Sequence, residues 1–90
     1  MVFVYVIESL LDGTWYKGMA IDPVNRLKDH NVGKNRFTKG HRPWKIIYTE
    51  PQENWKLARR REKYFKTAAG NAWLEKWLKS HGGDTGSLPA

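Results

Sequence analysis

The sequence predicts an α+β domain, in which a three-stranded antiparallel sheet is packed by three helices in the chain order ββαβαα. Three observations predict it. A run rich in Val, Ile and aromatic residues is followed by an Asp-Gly turn signal and a second such run, which is typical of an antiparallel hairpin. An Asp-Pro pair then begins a helix. Two later segments place apolar residues at helical spacing. The predicted domain covers residues 1–80, and a loose C-terminal tail covers residues 81–90.

The strands are predicted from β-branched and aromatic content, which suits a pleated and half-buried surface. The Asp12-Gly13 pair favours a positive φ angle and joins the first two strands. Pro51 is expected to break the third strand. The predicted strands are Val2 to Ser9, Thr14 to Met19 and Trp44 to Thr49.

The helices are predicted from their caps and from their apolar faces. Asp22 is a suitable N-cap before Pro23, and Gly33 suits the left-handed position after the first helix. Residues 33–43 are expected to form a basic loop. Gly70 is expected to separate the last two helices, with Asn71 as the N-cap of the third. The predicted helices are Pro23 to Asn31, Gln52 to Lys66, and Asn71 to about Ser80.

The composition excludes several classes of protein. Ninety residues make one small domain, and the absence of cysteine excludes disulfides, thiolate zinc sites and a cysteine nucleophile. No apolar run approaches the roughly 20 residues of a membrane helix. The N-terminal run has no basic region before it, so it predicts a strand and not a signal peptide. We therefore expect a cytoplasmic protein without a membrane partner.

Positive charge is concentrated in the middle of the chain. The formal net charge is +7, and the stretch from Lys17 to Lys66 holds 14 of the 16 basic residues but 5 of the 9 acidic ones. Concentrated positive charge on a small domain indicates a polyanionic partner, most often a nucleic acid. The alternative is an ordinary solvated basic face.

One carboxylate occupies a position where packing alone would not place it. Trp55, Ala58, Glu62 and Phe65 share one face of the second predicted helix, and that face should pack on the sheet. An unpaired carboxylate is costly to bury, so an arginine or a metal ion should lie near Glu62. A salt bridge at the edge of the core is the structural alternative.

Two further patterns combine polar groups with a packing surface. Arg26 and His30 are four residues apart on the first helix, a spacing that suits phosphate binding with proton transfer, although both side chains could simply be solvated. Tyr5 and Tyr16 lie on the two strands of the hairpin, where tyrosines usually pack against each other or against the core.

In chain order, these residues resemble the GIY-YIG nuclease superfamily. Phe3-Val4-Tyr5, followed eleven residues later by Tyr16-Lys17-Gly18, resembles the paired motif that names the superfamily. The resemblance covers Val2 to Leu78 and is strongest to the small stand-alone branch, which is similar to the N-terminal domain of an excision-repair nuclease. The residues that match the family's catalytic set are Tyr5, Tyr16, Arg26, His30 and Glu62.

The resemblance implies phosphodiester hydrolysis assisted by one divalent cation, Mg²⁺ or Mn²⁺, with Glu62 as its protein ligand. It also implies that Arg26 binds the scissile phosphate and that Tyr5 acts as or beside the general base for water. Tyr16 would position the phosphate or the water. A free tyrosine has a pKa of about 10, so Tyr5 needs help at neutral pH. His30 can accept a proton.

Other polar residues are assigned supporting roles. Lys17 can favour the Tyr5 phenolate, and Asn71 is the candidate for a late asparagine of the family. His41 is either a second proton carrier or a solvated side chain. Phe37 is a candidate for stacking on a base, whereas Trp44 is expected to pack in the core. The residues expected to contact the nucleic-acid backbone are Lys17, Lys34, Arg36, Lys39, Arg42, Arg59 and Arg60.

Three functions therefore remain open at the level of sequence. The first is a metal-dependent endonuclease acting on DNA, with a role in DNA repair or recombination and no small-molecule cofactor. The second is a non-catalytic nucleic-acid-binding module on the same fold. The third is a small adaptor whose basic face binds an acidic protein. Retention of the tyrosines, the arginine, the histidine and the glutamate favours the first, because a binding module needs only the cations.

Overall fold

The computed structural model describes residues 1–81. These residues form one antiparallel sheet of three strands, with helices packed on both faces, so the predicted α+β class is confirmed. None of the helices in this range is long and apolar enough to cross a membrane. The elements are β1 (Val2–Ser9), β2 (Trp15–Ala20), α1 (Pro23–Asn31), α2 (Arg36–Lys39), β3 (Trp44–Gln52), α3 (Trp55–Phe65) and α4 (Ala68–His81).

The central strand of the sheet is β1, and the strand order is β2-β1-β3. Both neighbours are antiparallel to it. Because side chains alternate along a strand, Tyr5 and Ile7 face one side of the sheet while Val4 and Val6 face the other. The sheet therefore has a separate packed layer on each face.

The two layers differ in their helices. Leu27 of α1 packs on the Tyr5 side, together with Ala20, Trp44 and Ile46. On the other side, α3 and α4 supply Ala58, Phe65 and Leu74, which are fully buried against the valines of β1. A register shift of β1 against β3 at Val6/Ile7 places one extra residue in β3, so that the adjacent Ile47 and Tyr48 both pack in the second layer while Ile46 packs in the first.

The first helix has the predicted bounds, and its caps explain them. The Asp22 side chain accepts a hydrogen bond from the Asn25 N–H, and Pro23 occupies the first turn. After the helix, Gly33 adopts a φ of +88°, a conformation that L side chains rarely adopt. The Asp-Gly turn is also confirmed, because Gly13 has a φ of +79°.

The predicted end of the third strand is wrong. β3 continues through Pro51 to Gln52, where Pro51 lies opposite Phe3 and Gln52 opposite Val2. Proline is tolerated here because β3 is an edge strand, so a missing N–H need not interrupt a ladder on both sides. The second strand is shifted by one residue, beginning at Trp15 and ending at Ala20.

The predicted starts of the last two helices are also wrong. α3 begins at Trp55 rather than Gln52, because the Asn54 side chain caps it by accepting from the Leu57 N–H. α4 begins at Ala68 and already contains Gly70 and Asn71, so Asn71 is not its N-cap. Helix α4 includes His81, which the sequence assigned to the tail, and residues 82–90 of that predicted tail lie outside the described residues.

Gly70 is needed for contact between two helices and not for breaking the chain. A Cβ atom at this position would lie 1.9 Å from the backbone carbonyl oxygen of Tyr64. The absence of a side chain therefore lets the first turn of α4 approach the end of α3 closely.

The predicted basic loop contains a fourth, short helix. The Asn35 side chain accepts a hydrogen bond of 3.0 Å from the Thr38 N–H and so caps α2. This helix directs Thr38 into the interior, where the residue is fully buried. Trp44 is also buried, and its Nε1–H donates to the Thr38 carbonyl oxygen at 2.8 Å. Its predicted place in the core is therefore confirmed.

Candidate active site

A buried line of hydrogen-bonded side chains joins β1, α1 and α2. The Tyr5 hydroxyl oxygen lies 2.9 Å from His30 Nε2, and His30 Nδ1 lies 2.8 Å from Thr38 Oγ1. Exposure is 1% for Tyr5 and zero for His30 and Thr38. Both ring nitrogens of His30 thus have partners, which holds the imidazole in one orientation between the phenol and the threonine.

The direction of these hydrogen bonds follows from the surroundings of Thr38. Its hydroxyl can donate to the Asn35 carbonyl oxygen at 3.5 Å, which leaves the oxygen free to accept from His30 Nδ1–H. In that tautomer His30 Nε2 carries a lone pair and accepts the Tyr5 O–H. This assignment makes Tyr5 a donor to a neutral histidine.

Gly18 makes room for the Tyr5 side chain. The two residues are directly paired across β1 and β2. A Cβ atom on Gly18 would lie 2.5 Å from the Tyr5 hydroxyl oxygen and 2.6 Å from Cζ. Any larger residue at position 18 would displace the phenol from its place beside His30.

Tyr16 and Arg26 complete this side of the sheet. The Tyr16 ring meets the edge of the His30 ring, with centroids 5.0 Å apart. The Arg26 guanidinium lies near the Tyr5 phenol and forms an ion pair of 3.4 Å with Asp29. The Arg26 side chain is 42% exposed, so part of the guanidinium remains open to solvent.

The electrostatics keep both members of the buried pair neutral. Burial, and after it the nearby Tyr16, raise the pKa of Tyr5 to about 12, while Arg26 opposes the shift. Burial also lowers the pKa of His30 below its ordinary value, and the Arg26 charge adds to this effect. At neutral pH the pair is therefore a phenol beside an uncharged imidazole that can take up a proton.

Glu62 is carried by α3, the helix that packs on the other face of the sheet. Its side chain is only 15% exposed, and its Oε1 lies 3.7 Å from Lys66 Nζ one turn along α3. After burial, Tyr16 and Arg26, the Glu62 carboxylate is a further influence on the pKa of Tyr5, which it raises, so the two side chains share one electrostatic environment. Trp55, predicted on the same packing face, is instead 51% exposed.

Glu62 offers a single carboxylate to a divalent cation. Within residues 1–81, no group of three or more His, Cys, Asp and Glu side chains forms a cage for a metal. Mg²⁺ needs no such cage, because it keeps most of its waters and binds through one or two carboxylates and the substrate phosphate. A mostly buried carboxylate with one long ion pair matches that requirement.

Lys17 is hydrogen-bonded to Asn71 and lies near the charge of Lys66, the residue that pairs with Glu62. Lys17 Nζ donates to Asn71 Oδ1 at 2.8 Å. Burial and then the charge of Lys66 lower the pKa of Lys17. The two residues line an open hollow of about 390 Å³ together with Gly13, Trp15 and Glu75.

His41 is engaged away from Tyr5. Its Nδ1 lies 2.7 Å from Asp12 Oδ2, and this contact ties the basic loop to the first hairpin. Hydrogen bonds from His41 and Thr14 hold the pKa of Asp12 well below its usual range. The structure therefore gives His41 a partner in the turn and does not bring it to the buried Tyr5–His30 pair.

The predicted phosphate-contacting residues divide into two groups. Lys34, Arg36, Lys39 and Arg42 are all exposed around α2. On α3, Arg59 is three residues before Glu62 and shares its side of the helix. Arg60 points elsewhere and lines a separate hollow with Gln52, Leu57 and Tyr64. The neighbouring Arg61 forms an ion pair, since its Nε donates to Glu50 at 2.8 Å.

The sequence analysis missed helix α2 and, with it, the roles of Asn35 and Thr38. An Asn followed three residues later by Thr is a weak N-cap signal, and the buried role of Thr38 depends on contact with His30, eight residues earlier.

Comparisons with known proteins identify the family of this chain. Residues 1–76 match the family model of the GIY-YIG catalytic domain. The chain belongs to the GIY-YIG nuclease family, and the resemblance noted in the sequence is confirmed.

Within that family the chain is similar to the UPF0213 proteins. A UPF0213 protein of Streptococcus agalactiae serotype V is 36% identical over 80 residues, covering 88% of this chain and 89% of the relative. UPF0213 protein YazA of Bacillus subtilis is 38% identical over 65 residues, covering 71% and 65%. The solution NMR structure of a UPF0213 protein from Bacillus halodurans matches with a TM-score of 0.52 and 30% identity, covering 86% and 85%.

Proposed function

We propose that this protein is a divalent-metal-dependent endonuclease that hydrolyses phosphodiester bonds in DNA. The observation that carries the proposal is the buried Tyr5–His30–Thr38 line, on which the charges of Arg26 and Glu62 act. A binding module would need the surface cations but not a buried phenol hydrogen-bonded to a neutral histidine.

Tyr5 and His30 act together as the base in this proposal. The attacking water gives a proton to the Tyr5 oxygen while the Tyr5 proton passes to His30 Nε2, so that no free phenolate has to form. The raised pKa of Tyr5 makes this coupled transfer necessary, because a lone phenol with a pKa of about 12 is a poor base at neutral pH. Thr38 acts as a positioning residue by holding His30 Nδ1.

The remaining residues hold the phosphate. The exposed part of the Arg26 guanidinium would bind the non-bridging oxygens of the scissile phosphate, and Tyr16 would position the phosphate or the attacking water. Glu62 would hold one Mg²⁺ or Mn²⁺, which supplies stabilisation of the charge that develops on the phosphate and on the leaving oxygen. Lys17 and Asn71 would bind the strand next to it, and the cations around α2, with Arg59, would bind the backbone.

The setting that we propose is the cytoplasm, where a nuclease of this kind would act in DNA repair or recombination. The proposed role in repair or recombination rests on a surface whose cations are expected to contact phosphates. Phosphate contacts carry no sequence information, so such a surface suits recognition of DNA structure over sequence.

The test is nicking of supercoiled plasmid with Mg²⁺ or Mn²⁺, using wild type beside Glu62→Gln. The substitution keeps the size of the side chain and removes the charge that holds the metal. We expect nicking by wild type, loss of nicking in Glu62→Gln, and equal DNA binding by both. Equal nicking by both proteins would refute the metal role. Binding without nicking by either protein would make the chain a non-catalytic binding module.

A further inference from the structure

An exposed aromatic ring lies next to the candidate active site. Among the Phe, Tyr and Trp residues within 1–81, only Phe37 and Trp55 have exposed rings, at 53% and 51%. A single exposed ring is common on a protein surface, so its surroundings decide whether it can bind a partner. Phe37 is in α2, the helix that also supplies Thr38 to the buried line.

The position of Phe37 is fixed by its surroundings. Its ring contacts those of Tyr16 and His41, with centroids 6.1 and 5.1 Å away. The Asn35 cap and the hydrogen bond between His30 and Thr38 hold the helix that carries it. Because Tyr16 in turn packs on His30, the exposed ring is two aromatic contacts away from the histidine of the Tyr5–His30 pair.

The surface around this ring is strongly basic. Residues 34–42 contain four Lys and Arg side chains and no Asp or Glu. Lys34, Arg36, Lys39 and Arg42 are all exposed, so they can contact phosphates on either side of a nucleotide whose base lies on Phe37. An aromatic ring among backbone-binding cations is the arrangement with which proteins bind single-stranded nucleic acid.

We infer that Phe37 is a stacking platform for an unpaired base beside the scissile phosphate, and that the preferred substrate is therefore DNA with a single-stranded segment at the point of cleavage. The inference deepens the proposed function and rests on it for the position of the cleaved bond. In a continuous duplex each base is covered on both faces by its neighbours, so a protein ring can stack only on a base that is unpaired or extruded.

Binding is tested on the full chain without divalent cations, so that no cleavage intervenes. The probe is a DNA oligonucleotide with one 2-aminopurine, whose fluorescence falls on stacking, used single-stranded and as a full duplex. The variants are Phe37→Ala, Phe37→Leu and Phe37→Trp. Trp55→Ala is the matched control, because it removes an equally exposed ring from α3, the helix that packs on the other face of the sheet. Circular dichroism checks that each variant is folded.

The expected result is tighter binding and stronger quenching with the single strand. Phe37→Ala and Phe37→Leu should weaken single-strand binding about tenfold, whereas Phe37→Trp and Trp55→Ala should bind as wild type does. Duplex binding should change little in any variant. Equal losses with both DNA forms, or no loss in Phe37→Ala and Phe37→Leu, would overturn the inference.

Cleavage separates this inference from the proposed function. Nicking of duplex and bubble-containing DNA at equal rates, unaffected by Phe37→Ala, would refute the platform and leave the nuclease in place. Loss of single-strand binding in Phe37→Ala, with no cleavage by wild type in Mg²⁺ or Mn²⁺, would support the platform and refute the nuclease.

Discussion

The two faces of the sheet are buried to a similar degree but use different chemistry. On the α3–α4 face, Tyr48 packs edge-on against Phe65, Trp73 and Trp77, and its hydroxyl donates to Glu50 at 2.7 Å. On the α1 face, Tyr5 donates instead to a buried neutral histidine. The Tyr48 hydroxyl thus donates to a carboxylate that pairs with an arginine. The Tyr5 hydroxyl donates to an imidazole that can accept its proton.

This difference separates structural from functional burial of polar groups. Arg61 Nε donates to Glu50 at 2.8 Å, and its guanidinium lies over the rings of Phe65 and Trp73 at 4.5 and 5.0 Å, so the Tyr48 network is built on an ion pair. In the Tyr5 network the partner is His30, whose Nε2 lone pair accepts the Tyr5 O–H. The two faces therefore differ in the group that each tyrosine hydroxyl meets, and not in burial or in hydrogen bonding.

The largest contrast is expected from removing each hydroxyl in turn. Tyr5→Phe should reduce nicking by about 10²–10⁴-fold, the usual contribution of a positioned general base. It should also cost about 1–3 kcal/mol of unfolding free energy, because His30 Nε2 loses its partner. Tyr48→Phe should lower stability by a similar amount and leave nicking unchanged. Plasmid nicking and urea unfolding of both variants measure the contrast, and equal nicking by the two would contradict it.

A second contrast uses two glycines at which an added Cβ atom would collide with a neighbouring residue. Gly18→Ala presses on the Tyr5 hydroxyl, a side-chain atom that can move, so stability should fall modestly while nicking falls at least about tenfold. Gly70→Ala presses on the Tyr64 carbonyl, a backbone atom, and should cost about 3 kcal/mol by overpacking. Its folded fraction should nick normally. A Gly18→Ala protein with full activity and an intact Tyr5–His30 hydrogen bond would remove the proposed role of Gly18.

The exposed cations around α2 should also differ from those on α3 and α4 in their contribution to DNA binding. Replacing Lys34, Arg36 and Lys39 together by Ala should flatten the dependence of log K on log[salt] by about 0.9 for each lost phosphate contact. The matched control is alanine at Lys56, Lys76 and Lys79, three exposed cations on α3 and α4. Binding titrations over a range of salt concentrations distinguish the two triple variants. Equal slopes would mean that the α2 surface is not the one that binds DNA.

The smallest effect concerns stability against pH. Because the pKa of His30 is lowered in the folded state, the unfolded chain binds more protons below its ordinary pKa of about 6.5. Stability contributed by neutral His30 is present above that pH and is lost as the pH falls, by at most about 1.4 kcal/mol per pH unit. Urea unfolding at pH 7.5 and 5.5 should show this loss in wild type. A His30→Gln variant that loses as much would assign the effect to another group.

The sequence predicts elements well where local chemistry decides them. Helix α1 has its predicted bounds because Asp22, Pro23 and Gly33 act within a few residues. Pro51 was misjudged because its tolerance depends on β3 being an edge strand, which is a property of the whole sheet. Asn71 was misjudged because Thr67 and the close approach at Gly70 determine where α4 begins. A helix of four residues such as α2 leaves no periodic pattern to find.

The residues of the candidate site could be predicted from the sequence, but the hydrogen bonds that connect them could not. Tyr5, Tyr16, Arg26, His30 and Glu62 could be chosen from a family pattern. The bond from His30 to Thr38 could not, because it depends on how a loop folds back on α1. The division between Arg59 and Arg60 follows from helical geometry once the position of Glu62 is known.

The alternation of side chains along β1 ties catalysis to folding. Tyr5 stands between Val4 and Val6, which face the opposite layer. A slip of one residue in strand pairing would turn the phenol into the aromatic core and present a valine to His30. A misaligned strand would thus lose its buried apolar face and the Tyr5–His30 hydrogen bond together. Any molecule that is stably folded in this register also has its reactive groups aligned.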